Sequence, residues 1–453
     1  MKKILFIIIA LMTFIPLSAS EKKVEKEEGV VKEHLQNHFK FYGFIRNYFV
    51  YDTRESVSGT GNLFYYLPKD ESLNDVGQDL NDQASFRFLA LTSRVGVDVS
   101  GYYIDNLHFG AKVEADFYSG LSGSTGTAAM RLRQAYATIA WKNLPLSDDK
   151  KANVGLKIGQ AWHPMAADFP HVFSLEVGAP FGPFSRTPQV TMDADLGANW
   201  TITASALWQM QYTSMGPSWN KEKSKYEAAA SADYLKYSCV PEMYAGVTYK
   251  YKGFLVRTGV DMLNIAPRIQ NMKDVNGKYV AYKVNERLTT VSPFAYLQYA
   301  KGLFSMKAKT IYGEAGEHFN LMSGYVKVNE AEDGTWEYAP LRNSSSWLSL
   351  SYGKKWQGVL FLGYMKNLGL ANDVEGTVSS SDIYFSKNGF SNLTQMYRIQ
   401  PELIYNIGKL NLGIEYQYTA VEYGKNFNKR ALVTDDLHWV GNHRVQMMVK
   451  YNF

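Results

Sequence analysis

Ten basic residues fall in the middle of segments whose side chains alternate between polar and apolar: Arg94, Lys112, Arg131, Arg133, Lys157, Arg257, Lys307, Lys309, Arg398 and Arg444. Arg46 joins them, although its segment is aromatic on both parities. A strand points successive side chains to opposite faces, so each cation shares a face with polar neighbours and has an apolar face behind it. The acidic residues of the same parity are Asp98, Glu114, Asp116, Asp193, Asp195, Asp261, Glu402 and Glu415. Two chemistries compete for these charges. They can pair off and merely solvate one wall. Alternatively, an excess of arginine at one level can hold anions, since rings of Arg or Lys favour anionic solutes. The planar guanidinium suits this because it meets a carboxylate with two parallel hydrogen bonds.

Catalysis is not indicated. A nucleophile needs a base within hydrogen-bond reach and a third group to orient it. His163, His171, His318 and His443 are scattered, and neither a Ser-centred nucleophile elbow nor a zinc-type His-Glu spacing occurs. His163 and His171 are read as satisfying loop hydrogen bonds, so the sequence predicts no metal ligands, no cofactor and no enzyme. Cys239 is the single cysteine, which excludes an internal disulfide.

The elements that carry the charges recur along most of the chain. Residues 39–51, 84–100, 105–119, 128–143, 151–160, 186–195, 198–212 and 240–252 alternate in this way. So do 253–266, 286–301, 302–315, 345–355, 356–366, 394–407, 409–424 and 437–453. Each of the sixteen is long enough for a tilted span of about 9–11 residues. Short joins alternate with longer loops, at 52–83, 120–127, 161–185, 213–239, 267–285, 316–344, 367–393 and 425–436. An all-β, transmembrane antiparallel barrel with short periplasmic turns and long extracellular loops has this rhythm. Lys or Arg facing lipid costs about 2–4 kcal/mol at the midplane, so the cationic parity is assigned to the lumen. The last strand, Arg444 to Phe453, has an apolar parity ending in an aromatic residue, and Phe453 is the expected signal to the barrel-assembly machinery.

Composition agrees. The chain has 32 Tyr, 24 Phe, 9 Trp and 36 Gly. Tyr and Trp suit membrane interfaces, having an apolar body and a polar tip. Tyr102, Tyr103, Trp141, Trp200, Tyr249, Tyr251, Phe254, Tyr299, Phe304, Trp356, Tyr405, Tyr451 and Phe453 cluster near the short joins, as a girdle would. Residues 1–20 read as a signal peptide, with Lys2 and Lys3 before an apolar run and small residues Ser18, Ala19 and Ser20. Residues 21–38 form a charged periplasmic segment, a tail or short helix interrupted by Gly29. Residues 39–453 are the barrel. A net charge of +5 is too slight to argue for nucleic acid.

The loop 161–185 is the candidate constriction. It is rich in aromatics, Pro and Gly and poor in charge, with Trp162, His163, Phe169, Phe181 and Phe184 as its named residues. An exposed loop should be more polar, so this one is expected to fold into the lumen or pack at a subunit interface.

Five segments are similar to the DcaP-like family of trimeric outer-membrane porins. They are SRVGVDVSG (Ser93–Gly101), VEADFYSG (Val113–Gly120), MRLRQAYATIAW (Met130–Trp141), VGLKIGQAW (Val154–Trp162) and VGAPFGPFSRTPQVTMD (Val177–Asp193). They cover about the first half of the barrel. The resemblance implies a homotrimer in the lipid of a Gram-negative-type outer membrane, passive uptake of small anions such as dicarboxylates, and inward Arg94, Arg131, Arg133 and Arg186. Together with Arg46, Lys112, Lys307, Lys309 and Arg398 these are the expected pore-lining residues. A channel for hydrophobic or neutral solutes, or a structural or adhesive barrel, is the alternative.

Overall fold

The protein was analysed as a computed structural model, which describes residues 38–59, 62–90, 92–117, 121–122, 127–147, 150–385 and 392–453. The expected signal peptide and residues 21–37 of the charged segment lie outside the described residues.

Sixteen strands close into one antiparallel barrel. The first eight are β1 (Phe39–Asp52), β2 (Ser85–Leu89 and Arg94–Ile104), β3 (Leu107–Asp116), β4 (Arg131–Ser147), β5 (Lys150–Trp162), β6 (Arg186–Leu196), β7 (Trp200–Leu207) and β8 (Glu242–Tyr251). The others are β9 (Phe254–Ile265), β10 (Leu288–Lys301), β11 (Phe304–Glu314), β12 (Arg342–Gly353), β13 (Trp356–Gly369), β14 (Leu393–Ile407), β15 (Leu410–Phe427) and β16 (Val433–Asn452). Each strand pairs with its successor, and β16 returns to β1 with Phe44 opposite Asn452 and Asp52 opposite Arg444. At the seam Phe453 N donates to Gly43 O at 3.0 Å. The Phe453 ring lies where a Cβ on Gly43 would sit, 2.5 Å away, so only glycine fits. Closure leaves no unpaired edge, the condition for a sheet to cross hydrocarbon.

The two parities separate as the alternation requires. On β15 Leu412, Ile414 and Tyr416 are 37–47 % exposed, whereas Glu415, Gln417 and Thr419 are at most 1 % exposed. On β16 Met447, Val449 and Tyr451 face outward, and Arg444 and Gln446 are buried inside. The expected girdle is present: Trp200, Tyr251, Phe254, Trp356, Tyr451 and Phe453 are all about half exposed at the short-turn end. Several stack across strands, as in Trp200 with Tyr249 at 4.7 Å and Trp356 with Tyr405 at 4.3 Å.

The short turns at 105–106, 197–199, 252–253, 302–303, 354–355 and 408–409 lie at one end. Gly302 and Gly408 take φ of 60° and 58°, the left-handed backbone a tight hairpin needs. The long connections lie at the other end, several of them carrying hairpins, as at 56–68, 215–230, 270–283 and 325–340.

Many strand boundaries shift by a few residues from the sequence reading, and three changes bear on the site. The strand expected over 198–212 stops at Leu207, because Gln209 bonds its own loop, accepting from Ser214 N and donating to Ser214 Oγ, both at 3.0 Å. Ala161 and Trp162 belong to β5 and not to the loop. The strand expected over 84–100 is broken between Leu89 and Arg94 and runs on to Ile104. Phe86 and Phe88 face outward before the break, and Val95 faces outward after it. The outward parity thus changes from even to odd. An unbroken strand would have turned Arg94 and Asp98 to the lipid.

If the outward parity sits in hydrocarbon, Ile414→Arg, one outward position deeper than the girdle level of Tyr405, should destabilise the barrel by about 2–4 kcal/mol, read from urea unfolding in lipid vesicles. A change within about 0.5 kcal/mol would place Ile414 outside the apolar layer.

Candidate functional site

Strand register sets a line of charge across the inner wall. Lys450 on β16 is opposite Arg46 on β1. Phe44 on β1 is opposite Arg94 on β2, Arg94 is opposite Asp116 on β3, and Asp116 is opposite Arg131 on β4. Arg131 grips Asp116 with two bonds of 3.0 and 2.9 Å. Arg133 donates to Glu114 at 2.7 Å and to Asp116 at 2.6 Å. Arg94 reaches Glu114 at 3.5 Å, and Arg46 donates to Thr92 Oγ1 at 2.9 Å. Two carboxylates thus serve three of these arginines and leave the wall net positive.

The loop 163–185 folds into the barrel and faces this wall. Wall cations hold it by its backbone. Lys309 donates to Met165 O at 2.6 Å and Asp168 O at 3.2 Å, and Lys307 donates to Phe169 O at 3.0 Å. Arg257 pairs with Asp168 at 2.5 Å. Arg398 donates to Ala179 O at 3.0 Å. Neutral groups add to this: Tyr48 donates to Phe173 O at 2.6 Å, and Phe173 N donates to Glu402 at 3.2 Å. Glycines on the wall make room for the loop's rings. A Cβ on Gly363 would lie 2.6 Å from the Phe181 ring, and one on Gly413 would lie 2.8 Å from the Phe173 ring.

Between loop and ladder lies a cavity of about 820 Å³. Among the described residues its charged lining consists of Arg46, Arg94, Arg131, Arg133 and Lys450, with no carboxylate. Much of the remaining lining is aromatic, with Phe64, Trp162, Phe169, Phe173 and Phe184. Trp162 carries Arg186 at 4.9 Å from its ring centroid and Arg133 at 5.8 Å.

The residues expected to line the pore therefore separate into groups. Arg46, Arg94, Arg131 and Arg133 meet the cavity, as do Trp162, Phe169 and Phe184. Arg186 is buried against Trp162 and donates to Gln211 at 3.0 Å. Lys112 lies nearer the short-turn end, paired with Asp98 at 2.9 Å. Lys307, Lys309 and Arg398 do not line the cavity: their charges are spent on loop carbonyls that the sequence does not place near them. His163 and Phe181 are fully buried between loop and wall. The sequence reading left out Lys450, although its parity is plain in the last strand. It also left out the segment Leu63–Pro68, which folds inward beside the constriction loop, with Arg398 donating to Tyr66 O at 2.7 Å and Arg444 to Leu63 O at 3.2 Å. Five apolar residues in a row, Leu63 to Leu67, were the available signal.

Comparison with solved structures finds the same architecture. The DcaP outer membrane channel of Acinetobacter baumannii matches with a TM-score of 0.61 at 18 % identity, over 92 % of this chain and 97 % of that one. The fold is that of an outer-membrane porin. An anion-selective porin from Comamonas acidovorans matches with a TM-score of 0.51 at 9 % identity, over 92 % and 99 % of the two chains. OmpF of Salmonella typhi matches at 0.50 and 11 % identity, over 92 % and 98 %. The resemblance to DcaP-like channels, read from the first half of the barrel, thus extends to the fold of the whole. No protein-family model and no curated protein matches the chain.

Two expected outcomes test the loop's seat. Gly363→Leu forces a side chain into the Phe181 ring and should cost about 1–3 kcal/mol of stability; an unchanged unfolding midpoint would mean the loop does not rest there. His171, on the loop, is hydrogen-bonded to Ser305 at 2.9 Å. Burial, with the Lys307 charge, lowers its pKa from 6.5 to about 4. The neutral ring therefore favours the folded state above pH 6.5, and this contribution is lost as pH falls toward 4. Over that interval the wild type should lose more thermal stability than His171→Gln. Parallel curves would contradict the assignment.

Proposed function

We propose that this chain is a passive diffusion channel of the outer membrane of a Gram-negative-type bacterium, and that it prefers small organic anions. The observation that carries the reading is the cavity lining: five cationic side chains and no carboxylate among the described residues. In such a space an anion meets several guanidinium donors, while a cation meets like charge. The arrangement has two sides, and each has a role. Arg46, Arg94, Arg131, Arg133 and Lys450 receive a carboxylate. The aromatic lining residues Trp162, Phe169 and Phe184 offer apolar surface to the rest of the solute. This favours organic anions, dicarboxylates among them, over inorganic ions of the same charge. It also gives a hydrophobic-solute channel the weaker case, because such a solute would have to desolvate the arginines without pairing them.

A homotrimer, implied by the resemblance to DcaP-like channels, belongs to the same proposal, as does recognition of the strand ending in Phe453 by the assembly machinery. No residue of the site has the nucleophile, base and orienting group that hydrolysis would require.

Planar-bilayer recording in a salt gradient tests the reading. Wild type should give a reversal potential of anion-selective sign. Arg131→Ala combined with Arg133→Ala should move it toward cation selectivity, doubly so because Asp116 loses its bonds to both and Glu114 its bond to Arg133. An unchanged reversal potential, or a barrel that passes no current, would overturn the proposal.

A further inference from the structure

On the far side of the loop from the arginine ladder, four titratable side chains from four separate segments converge. His163 begins the constriction loop, Glu242 opens β8, Asp261 lies on β9, and His318 sits in the short 3₁₀ turn Gly316–Phe319 between β11 and β12. His163 Nε2 is 2.9 Å from Glu242 Oε1 and 3.5 Å from Asp261 Oδ1. His318 Nε2 is 3.3 Å from the same Glu242 oxygen and 3.8 Å from Asp261 Oδ2. No side chain of the four is more than 2 % exposed. Phe319 covers the group, its ring centroid 4.7 Å from that of His163 and 3.9 Å from that of His318.

Close approach is not hydrogen bonding here. Both oxygens of Glu242, Oδ1 of Asp261 and Nε2 of both histidines lack an aligned hydrogen-bond partner. Buried polar atoms in that condition are expensive. Two carboxylates stripped of water also need positive charge, and the misaligned N–H directions argue against two imidazolium rings supplying it. The ligand atoms of His163, Glu242 and Asp261 all lie within 4.8 Å of one another, and His318 Nε2 approaches the same two carboxylates; such a cluster suits an ion instead, since ligand bonds of about 2.0–2.2 Å place tetrahedral donors roughly 3.3–3.6 Å apart.

We propose that His163, Glu242, Asp261 and His318 bind one divalent cation of the zinc class. Two imidazoles with two carboxylates suit Zn²⁺ better than Mg²⁺ or Ca²⁺, which favour all-oxygen shells. One contact must give way. His163 Nδ1 accepts from Met165 N at 3.1 Å, and a neutral ring cannot both accept there and ligate through Nε2. Loading therefore moves the His163 proton from Nε2 to Nδ1 and releases Met165 N–H. The ion ties the start of the constriction loop and the 315–341 loop to the same stretch of wall, so its role is to stiffen the constriction. No ligand spacing along the chain announces this convergence.

The test uses the full chain, purified in detergent, stripped with chelator, equilibrated with ZnCl₂ and desalted, with metal counted by mass spectrometry. About one zinc per chain is expected in the wild type, and background in Glu242→Gln with Asp261→Asn. Zn²⁺ but not Mg²⁺ should raise the unfolding temperature of the wild type. His318→Gln, which keeps both carboxylates, serves if the double variant does not fold, and it should bind zinc at least tenfold more weakly. Absence of saturable zinc in the folded wild type, or equal zinc in a folded variant, overturns the proposal.

Discussion

Hydrocarbon accepts neither an unpaired backbone group nor an unneutralised charge, and nearly everything in this molecule answers to that restriction. The sheet must close, so β16 returns to β1 and Phe453 seals against Gly43. One parity of every strand must be apolar, so every cation placed mid-strand turns inward. A bore lined with so many charges and roofed by loops then has a second problem, because the loops bring their own unpaired carbonyls with them. The inward cations answer it: Lys307, Lys309, Arg398 and Arg444 each take up loop carbonyls. Charges excluded from the lipid thus become the fasteners of the plug.

That division of labour separates scaffold from site. On β9, β11 and β14 the cations are consumed by the loop 163–185. On β1 to β4 and β16 they keep an open face, since Glu114 and Asp116 are too few to neutralise them. The loop presents Phe169 and Phe184 to this open face, and much of its backbone, together with the Phe181 ring, to the other wall. The cavity's two-sided character follows from which wall the loop is fastened to.

Much of the barrel was legible in the chain because its rule is local. Parity in Leu410–Tyr418 or Arg444–Phe453 needs only neighbouring residues, and the strand count and loop alternation follow from repeating it. The aromatic, charge-poor composition of 161–185 likewise pointed inward without any partner being known. Long-range pairing was not legible. Arg133 and Lys309 look alike in sequence, yet one meets a cavity and the other meets Met165 O, 144 residues away. The convergence of His163, Glu242, Asp261 and His318 is hidden for the same reason. The inward path of Leu63–Pro68 is a different case: its five consecutive apolar residues carry the same local signal as the charge-poor loop 161–185.

The interruption between Leu89 and Arg94 carries an evolutionary implication. It works as a mechanical phase shifter: upstream of it even positions meet lipid, downstream they meet water. Lengthening or shortening that stretch by a single residue would exchange Arg94 and Asp98 for Val95 and Val97 on the inner surface, with no change of residue type anywhere. Insertions and deletions at this one site, more than point substitutions, are therefore an economical route by which descendants of this chain could acquire a different filter.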